Sequence, residues 1–258
     1  MSGTKETVVF GGSSGIGFAI AERCAAEADN IFILSRDESK LDSAAKKLRE
    51  TGANEVFSIS CDLGDHSSLN SALTEYKKKG RRIDRLILNG GGPPYGNFSE
   101  ISVDEWLNSI QSVVVSQIII LKELIPEMSS NSSVVFILSD AVSITAENKV
   151  LPSSLRNCLL SIMKSLALEN SNYGVRFNSI SPGPTETERA TTLLSNLAEK
   201  KGESYSQIKF EFEEGLPMGR MASPSEIAEA AYFLLSENSS HISGVNLHVD
   251  GSLTSIAL

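Results

Sequence analysis

The feature that most constrains this chain is a regular alternation of short apolar runs with amphipathic segments along its whole length. Strands of a parallel sheet are buried on both faces and read as short apolar runs, while their crossover connections read as helical patterns. The alternation therefore predicts a single α/β domain, a doubly wound parallel sheet flanked by helices on both faces. Seven strands are expected, at residues 7–10, 30–34, 55–60, 84–88, 133–138, 175–180 and 246–249.

One stretch interrupts the alternation. Residues 184–222 contain two polar helical segments, at about 188–200 and 203–214, with no strand between them. Insertions at the carboxyl edge of such a sheet commonly cover a substrate site. We therefore expect a substrate lid at about 184–222, within one domain that spans residues 1–258. In the second lid helix, Phe210 and Phe212 are expected to pack inward.

Composition excludes several classes of partner. Lys and Arg number 23 against 32 Asp and Glu, so the formal net charge is −9, which argues against nucleic acid and anionic membranes. The longest apolar stretch, 113–125, is interrupted by charged and polar residues, so no membrane span is expected. Three widely separated cysteines favour a reducing, cytoplasmic location, and the scattered histidines predict no metal site. Of the partner classes considered, a small molecule remains, and we expect the chain to bind one.

A glycine-rich turn follows the first expected strand. Residues 11–17 read GGSSGIG and lead into a helix-forming run. Such a turn exposes backbone N–H groups and the positive end of a helix dipole, which both suit a pyrophosphate. Gly11, Gly15 and Gly17 leave room where a β-carbon would collide. A tight turn without a ligand is the alternative, but the position in the first βαβ unit favours a dinucleotide.

The GxxxGxG spacing of this turn resembles that of the short-chain dehydrogenase/reductase family, which has a Rossmann fold. Further segments resemble family motifs in the same order: Asp62 with Leu63 after strand 3, residues 89–91 after strand 4, PGPTET at 182–187 and PMGR at 217–220. The resemblance covers essentially the whole chain. Within the family, the chain looks most like a divergent subgroup related to 3-oxoacyl-[acyl-carrier-protein] reductases.

The resemblance implies a cofactor site. Members that bind NAD place an acidic residue at the end of strand 2, whereas this chain has Arg36 there, and a guanidinium suits the 2′-phosphate of NADP. NADP is expected, and NAD stays open if Arg36 is only a solvated charge beside Asp37. The residues assigned to the cofactor are Gly11, Ser13, Ser14, Gly15, Ile16, Gly17, Arg36, Asp62, Leu63, Asn89, Gly90, Gly91, Arg156, Pro182, Gly183, Thr185 and Thr187.

The catalytic positions depart from the family pattern of Ser, Tyr and Lys with a helical Asn. Ser139 falls on the serine, but Pro152 stands at the tyrosine, Arg156 at the lysine and Val113 at the asparagine. Proline is tolerated in the first turn of a helix, so the fold need not change. Arg156 can bond to the nicotinamide ribose, but its guanidinium does not easily act as an acid.

Two interpretations follow. In the first, the chain is an NADP(H)-dependent oxidoreductase that interconverts a carbonyl and an alcohol. Ser139 then orients the substrate oxygen and Tyr95, in the loop after strand 4, supplies the proton; Asp140, Lys149 and Ser153 are weaker candidates. In the second, the chain binds NADP(H) without redox chemistry, as a sensor, subunit or scaffold. A chain that binds no nucleotide is a third reading, which the intact glycines disfavour.

Two helices are unusually apolar for outer-layer elements, those around 106–120 and 159–170. Apolar faces of this kind normally imply association. In the family these helices form one dimer interface and a C-terminal strand forms a second, so the resemblance implies a homotetramer, with a dimer as the alternative. The apolar segment 252–258 is expected to pack against a neighbouring subunit.

Overall fold

The computed structural model describes residues 4–255, and the predicted α/β fold class is confirmed. Its strands are β1 Glu6–Phe10, β2 Asn30–Ser35, β3 Glu55–Ser60, β4 Ile83–Leu88, β5 Met128–Ile137, β6 Arg176–Pro182 and β7 Asn246–Val249. They form one parallel sheet of seven strands in the order β3-β2-β1-β4-β5-β6-β7. The order reverses between β1 and β4, and such a switch point is where these sheets bind ligands. The last three residues of the predicted subunit contact, 256–258, lie outside the described residues.

Helices cover both faces of the sheet. They are α1 Gly15–Ala25, α2 Glu38–Thr51, α3 His66–Lys77, α4 Val103–Ser109, α5 Ser116–Leu124, α6 Val150–Glu169, α7 Glu188–Lys201, α8 Tyr205–Glu214 and α9 Pro224–Leu235. One hydrophobic cluster packs α3, α5 and α6 on one face, and a second packs α1, α2 and α9 on the other. Because the strands are parallel, their carboxyl ends lie along one edge of the sheet, between these two layers of helices.

Strand β5 begins at Met128 rather than at the predicted residue 133. Residues 129–133 near its start are all serine or asparagine, and Asn131 has a left-handed φ of 66°. The ladder with β4 shifts register between Ile83 and Arg85, so this part of β5 is bulged. A bulged, serine-rich strand start gives no apolar run, which is why the pattern missed it.

The helical stretch Val103–Glu127 is long and apolar enough, by length and composition alone, to cross a membrane. Its central turn, Ile110–Val115, is π-helical and joins α4 to α5. Leu121 and Leu124 on this stretch are buried in the main hydrophobic cluster. Core packing therefore accounts for its apolar composition.

Helices α7 and α8 occupy the stretch in which a lid was predicted. They share a small hydrophobic cluster of their own, formed by Leu194, Ala198, Ile208 and Met221. Ala222 closes the base of the insertion, because its N–H donates to the Pro184 carbonyl at 2.9 Å and its carbonyl accepts from Glu186 N at 2.8 Å. The predicted lid is thus anchored directly after β6.

The prediction that the lid aromatics pack inward is wrong. Phe210 is 57% exposed and Phe212 is 36% exposed, whereas Ile208 is 1% exposed. One narrow face of α8 meets the lid cluster, and Ile208 occupies it. Residues two apart on a helix point about 200° apart, so Phe210 faces away from that cluster.

Candidate active site

The glycine-rich turn is closed against the end of β4. Gly11 has a left-handed φ of 66°, and a β-carbon there would lie 2.2 Å from the carbonyl oxygen of Asn89. A β-carbon on Gly17 would lie 2.1 Å from the carbonyl oxygen of Gly11. The Asn89 amide donates to that same oxygen at 3.2 Å. Three predicted cofactor residues are therefore brought together, and the two glycines are required sterically.

Helix α1 begins without a side-chain cap. Within residues 4–255, its N-cap Ser14 makes no capping hydrogen bond, whereas Asp37 caps α2 and Thr187 caps α7. The first backbone N–H groups of α1, next to the glycine-rich turn, therefore receive no hydrogen-bond acceptor from the Ser14 side chain. They are available to an anion, as a phosphate site requires. The Ser13 hydroxyl donates to the Ser35 hydroxyl at 2.8 Å, which joins this turn to the end of β2. These features fit a dinucleotide pyrophosphate.

The adenosine half of the predicted site lies at the ends of β2 and β3. Arg36 is exposed directly after β2, as a contact with a 2′-phosphate requires. Asp62, after β3, is exposed and accepts a hydrogen bond from Gly64 N at 2.8 Å. The other predicted residues at this edge are Ile16, Leu63, Gly90 and Gly91.

The predicted lid begins next to the glycine-rich turn. A β-carbon on Gly15 would lie 3.3 Å from the Thr187 methyl carbon, so the first turn of α7 reaches the predicted pyrophosphate site. Lys40 of α2 forms an ion pair at 2.5 Å with Glu188 of α7. The same segment also lines a groove of about 620 Å³ along the lid, with Thr187 as the one predicted cofactor residue in its wall.

The residues between β6 and the lid form a buried turn. Pro182 is the last residue of β6, and Gly183 lies so close to Asp250 that a β-carbon would be 2.8 Å from its Cα. The Thr185 hydroxyl donates to the Gly183 carbonyl at 2.9 Å, and Thr185 is 7% exposed. In this arrangement Thr185 stabilises the turn.

Ser139 is part of a chain of hydrogen bonds. Its hydroxyl donates to one carboxylate oxygen of Asp140 at 2.7 Å and accepts from Ala141 N at 3.2 Å. The Lys149 ammonium donates to the other Asp140 oxygen at 3.0 Å. The Asp140 and Lys149 side chains are 13% and 23% exposed, respectively. Both residues were predicted only as weaker candidates, because sequence spacing does not show that Lys149 lies next to Asp140.

Arg156 lies beneath the loop after β4 and is 6% exposed. Its guanidinium donates to the carbonyls of Ile137, Gly91 and Gly90 at 3.2, 3.4 and 3.5 Å. Burial first, and the charge of Arg189 second, lower the pKa of Arg156 to about 10. Arg156 therefore remains charged near neutral pH, and its contact with the ribose stays a prediction.

Tyr95 lies in the loop after β4 and is 45% exposed. The Arg189 guanidinium, which sequence reasoning missed, lies 5.8 Å from the centre of the Tyr95 ring. The next residue, Gly96, donates to the Asn148 carbonyl at 2.9 Å, so the Tyr95 loop runs beside the loop of Lys149. Tyr95, Arg189 and Lys149 thus lie in neighbouring segments at the carboxyl edge of the sheet, and we call the space along this edge the cleft.

Pro152 and Val113, which the sequence predicts at the family positions of tyrosine and asparagine, have side chains without a proton to transfer. Pro152 is buried in the first turn of α6, where it was expected to fit. Val113 is 1% exposed and lies in the π-helical turn. Across residues 4–255, no group of three or more His, Cys, Asp or Glu is placed to hold a metal ion.

Two comparisons with known proteins match this chain to reductases along nearly its whole length. The profile of a family described as enoyl-(acyl carrier protein) reductase matches residues 11–254. The 3-oxoacyl-[acyl-carrier-protein] reductase FabG of Chlamydia trachomatis is 28% identical over 251 residues, which is 96% of this chain and 97% of that protein.

Two solved structures share the fold. One is a short-chain oxidoreductase from Pseudomonas aeruginosa, bound to NADPH and described as containing an atypical catalytic center; it has 25% identity and a TM-score of 0.88, and 98% of each chain is covered. The other is L-sorbose reductase from Gluconobacter frateurii, in complex with NADPH and L-sorbose, with 24% identity, a TM-score of 0.92 and 98% of each chain covered.

Proposed function

Because the chain belongs to the short-chain dehydrogenase/reductase family, we propose that it is an NADP(H)-dependent oxidoreductase that interconverts a carbonyl and an alcohol at an atypical active site. One observation carries the proposal. The uncapped start of α1 and the bonded chain of Ser139, Asp140 and Lys149 lie at the same carboxyl edge of the sheet. A dinucleotide site and a proton-carrying network therefore border one cleft.

NADP(H) fits the residues at this edge. The turn at 11–17 would hold its pyrophosphate, Arg36 the 2′-phosphate and Thr187 the nicotinamide amide. When bound, the reduced cofactor supplies a hydride to a carbonyl carbon. The NADPH complex of the Pseudomonas aeruginosa relative, which also carries an atypical catalytic center, supports this choice over NAD.

Reduction of a carbonyl leaves an oxyanion that must be protonated. Tyr95 is one proposed donor, because its exposed ring borders the cleft. The chain of Ser139, Asp140 and Lys149 is the donor that we favour. In this route the Lys149 ammonium passes a proton to the Asp140 carboxylate, Asp140 passes it on to Ser139, and Ser139 passes its own hydroxyl proton to the substrate oxygen. The net result is one proton lost by Lys149 and one gained by the alcohol.

A cofactor-binding protein without redox chemistry is the second candidate. The observation in its favour is that Pro152 and Val113, at two family catalytic positions, are buried side chains without a transferable proton. In that case the cleft would serve to sense NADP(H) or to attach the chain to a partner.

Turnover separates the two candidates. We expect the purified protein to consume NADPH with a member of a panel of ketones, oxo acids and 3-oxoacyl thioesters, and nicotinamide fluorescence in the same cuvette reports binding. Binding without consumption across the panel would favour the second candidate. Absence of NADPH binding would contradict both.

Arg36 is expected to determine cofactor choice. Charge-assisted hydrogen bonds to a phosphate are strong, so Arg36→Ala should weaken NADPH binding about 10- to 100-fold and leave NADH binding unchanged. Fluorescence titration with both cofactors measures this difference. Lys46→Ala, an exposed site on α2 facing Glu50, is the matched control. Equal losses for both cofactors would show that Arg36 does not contact the 2′-phosphate.

We also propose that the protein is a homotetramer, with a dimer as the alternative. Val103 and Leu107 on α4 are 73% and 59% exposed, and Leu168 on α6 is 79% exposed. Large apolar side chains on these two helices suit a subunit interface. Light scattering should give the mass of four chains, and a monomer would contradict the proposal.

A further inference from the structure

Arg189, the second residue of α7, reaches from the lid to the loop after β4. Its guanidinium donates to the Pro93 carbonyl at 3.1 Å. A β-carbon on Gly92 would lie 2.2 Å from the Arg189 Nη1 atom, so the guanidinium occupies the space that a side chain at residue 92 would take. The lid therefore delivers a positive charge to the substrate side of the cleft.

This charge has no acidic partner in the described chain. Within residues 4–255, no carboxylate oxygen lies within 4.0 Å of the guanidinium of either Arg189 or Arg156. Two nearby cations do have acidic partners, since Lys209 binds Glu186 at 2.6 Å and Lys149 binds Asp140 at 3.0 Å. In a chain of net charge −9, acidic residues are available, so unpaired arginines at one loop indicate an external anion.

Comparison with Arg176 shows that Arg156 is loosely satisfied. Arg176 is also buried, and it donates four hydrogen bonds of 2.9 to 3.2 Å to carbonyls and to the Ser239 hydroxyl. The three bonds of Arg156 are 3.2 to 3.5 Å long. The Arg176 guanidinium is therefore held firmly in the fold, whereas the longer hydrogen bonds of Arg156 offset less of the cost of burying its charge beneath the loop.

The two charges of Arg156 and Arg189 act on each other. Repulsion from Arg189 adds to burial in lowering the pKa of Arg156. An anion bound at Gly92 would interact favourably with both guanidinium groups and would offset this repulsion.

Arg156 lies away from the predicted site of the cofactor 2′-phosphate, and Arg189 lies two residues after Thr187, which is predicted to hold the nicotinamide amide. Gly92 follows β4, and Arg156 bonds to Ile137 at the end of β5. The pyrophosphate turn follows β1 and Arg36 follows β2, on the other side of the switch point. Neighbouring strands are about 4.8 Å apart, so Arg36 and Arg156 lie about three strand spacings from one another. An anion held by both guanidinium groups would therefore lie toward the predicted nicotinamide end of the cofactor, where the substrate is reduced, and we assign it to the substrate.

We infer that the substrate is an oxo acid, a carbonyl compound whose carboxylate binds Arg189 beside Tyr95, with Arg156 adding positive potential from beneath the loop. A planar guanidinium matches a carboxylate through two parallel hydrogen bonds. Arg189 is thus a specificity residue of the lid. This inference rests on the proposed function and names the substrate class of the same site.

Matched pairs of acids and esters test it. Pyruvate, acetoacetate and levulinate are each compared with the methyl ester, which keeps the carbonyl and removes the charge. We expect at least one acid to be reduced with a higher kcat/KM than its ester. Arg189→Gln should lower kcat/KM for that acid about 10- to 100-fold, leave the ester unchanged, and be partly rescued by Arg189→Lys. Lys200→Gln, which removes one exposed charge from the same helix, is the control.

A binding measurement keeps the inference separate from catalysis. Calorimetric titration of the same acids into the protein with NADP⁺, which cannot reduce them, reports the anion site alone. Acid binding that is lost in Arg189→Gln would support the inference even if no carbonyl were reduced, and the proposed function alone would then fail. Esters bound and reduced as well as acids would overturn the inference and leave the function standing. An equal loss of NADPH affinity in Arg189→Gln would also overturn it, because Arg189 would then serve the cofactor.

Discussion

Replacing Gly17 with alanine should weaken NADPH binding by about 10²-fold or more, because the turn that receives the pyrophosphate cannot close around a β-carbon. The added atom would lie 2.1 Å from the Gly11 carbonyl oxygen and 2.6 Å from the Asn89 amide nitrogen. Gly11 is fixed in turn by its left-handed φ of 66° and by the Asn89 backbone, so it cannot retreat without opening the turn. Nicotinamide fluorescence titration measures the loss.

Helix propensity excludes one other explanation for a loss of binding in Gly17→Ala. Gly17 lies within α1, where alanine is intrinsically favoured by about 1 kcal/mol, so a loss of binding must come from the collision. Gly215→Ala is the matched control, because φ there is −75° and the nearest atom is 3.4 Å from the added β-carbon. Circular dichroism and thermal unfolding establish that both variants are folded. Undiminished NADPH affinity in folded Gly17→Ala would show that this turn is not the cofactor site.

The fold was predictable where one physical requirement dominated the pattern. Strands β3 and β7 were predicted with their observed bounds, because each is a short run set off by polar turns. The polar start of β5 was missed, since a bulged strand with serines does not alternate or repeat. Phe210 was placed inward because sequence periodicity cannot show how narrow the buried face of α8 is.

The site was less predictable than the fold. Gly11 and Gly17 could be identified because a backbone collision depends on local geometry alone. The approach of Lys149 to Asp140 and of Arg189 to Gly92 depends on how separate loops meet at one edge of the sheet. The separation of two residues in the sequence does not show whether their loops are in contact in the fold. Arg189 in particular looked like an ordinary charge in the first turn of a helix.

Lys149→Met should lower the turnover number for carbonyl reduction by about 10²-fold or more, because it removes the proton source that we favour. NADPH affinity should stay nearly unchanged, since Lys149 bonds to Asp140 and to no predicted cofactor residue among those described. Methionine keeps most of the length and apolar stem of lysine. Rates are measured at saturating substrate and saturating NADPH.

Two further variants decide between the donors. Asp140→Asn keeps the hydrogen-bonding shape but cannot carry the proton between Lys149 and Ser139, so it should match Lys149→Met in turnover if the relay operates. Tyr95→Phe removes only the competing hydroxyl. A loss of about 10²-fold in Tyr95→Phe, with normal turnover in Lys149→Met, would assign the proton to Tyr95 and refute the relay. Lys46→Met, at an exposed site on α2, controls for the loss of one charge, so any change that it shares with Lys149→Met cannot be attributed to proton transfer.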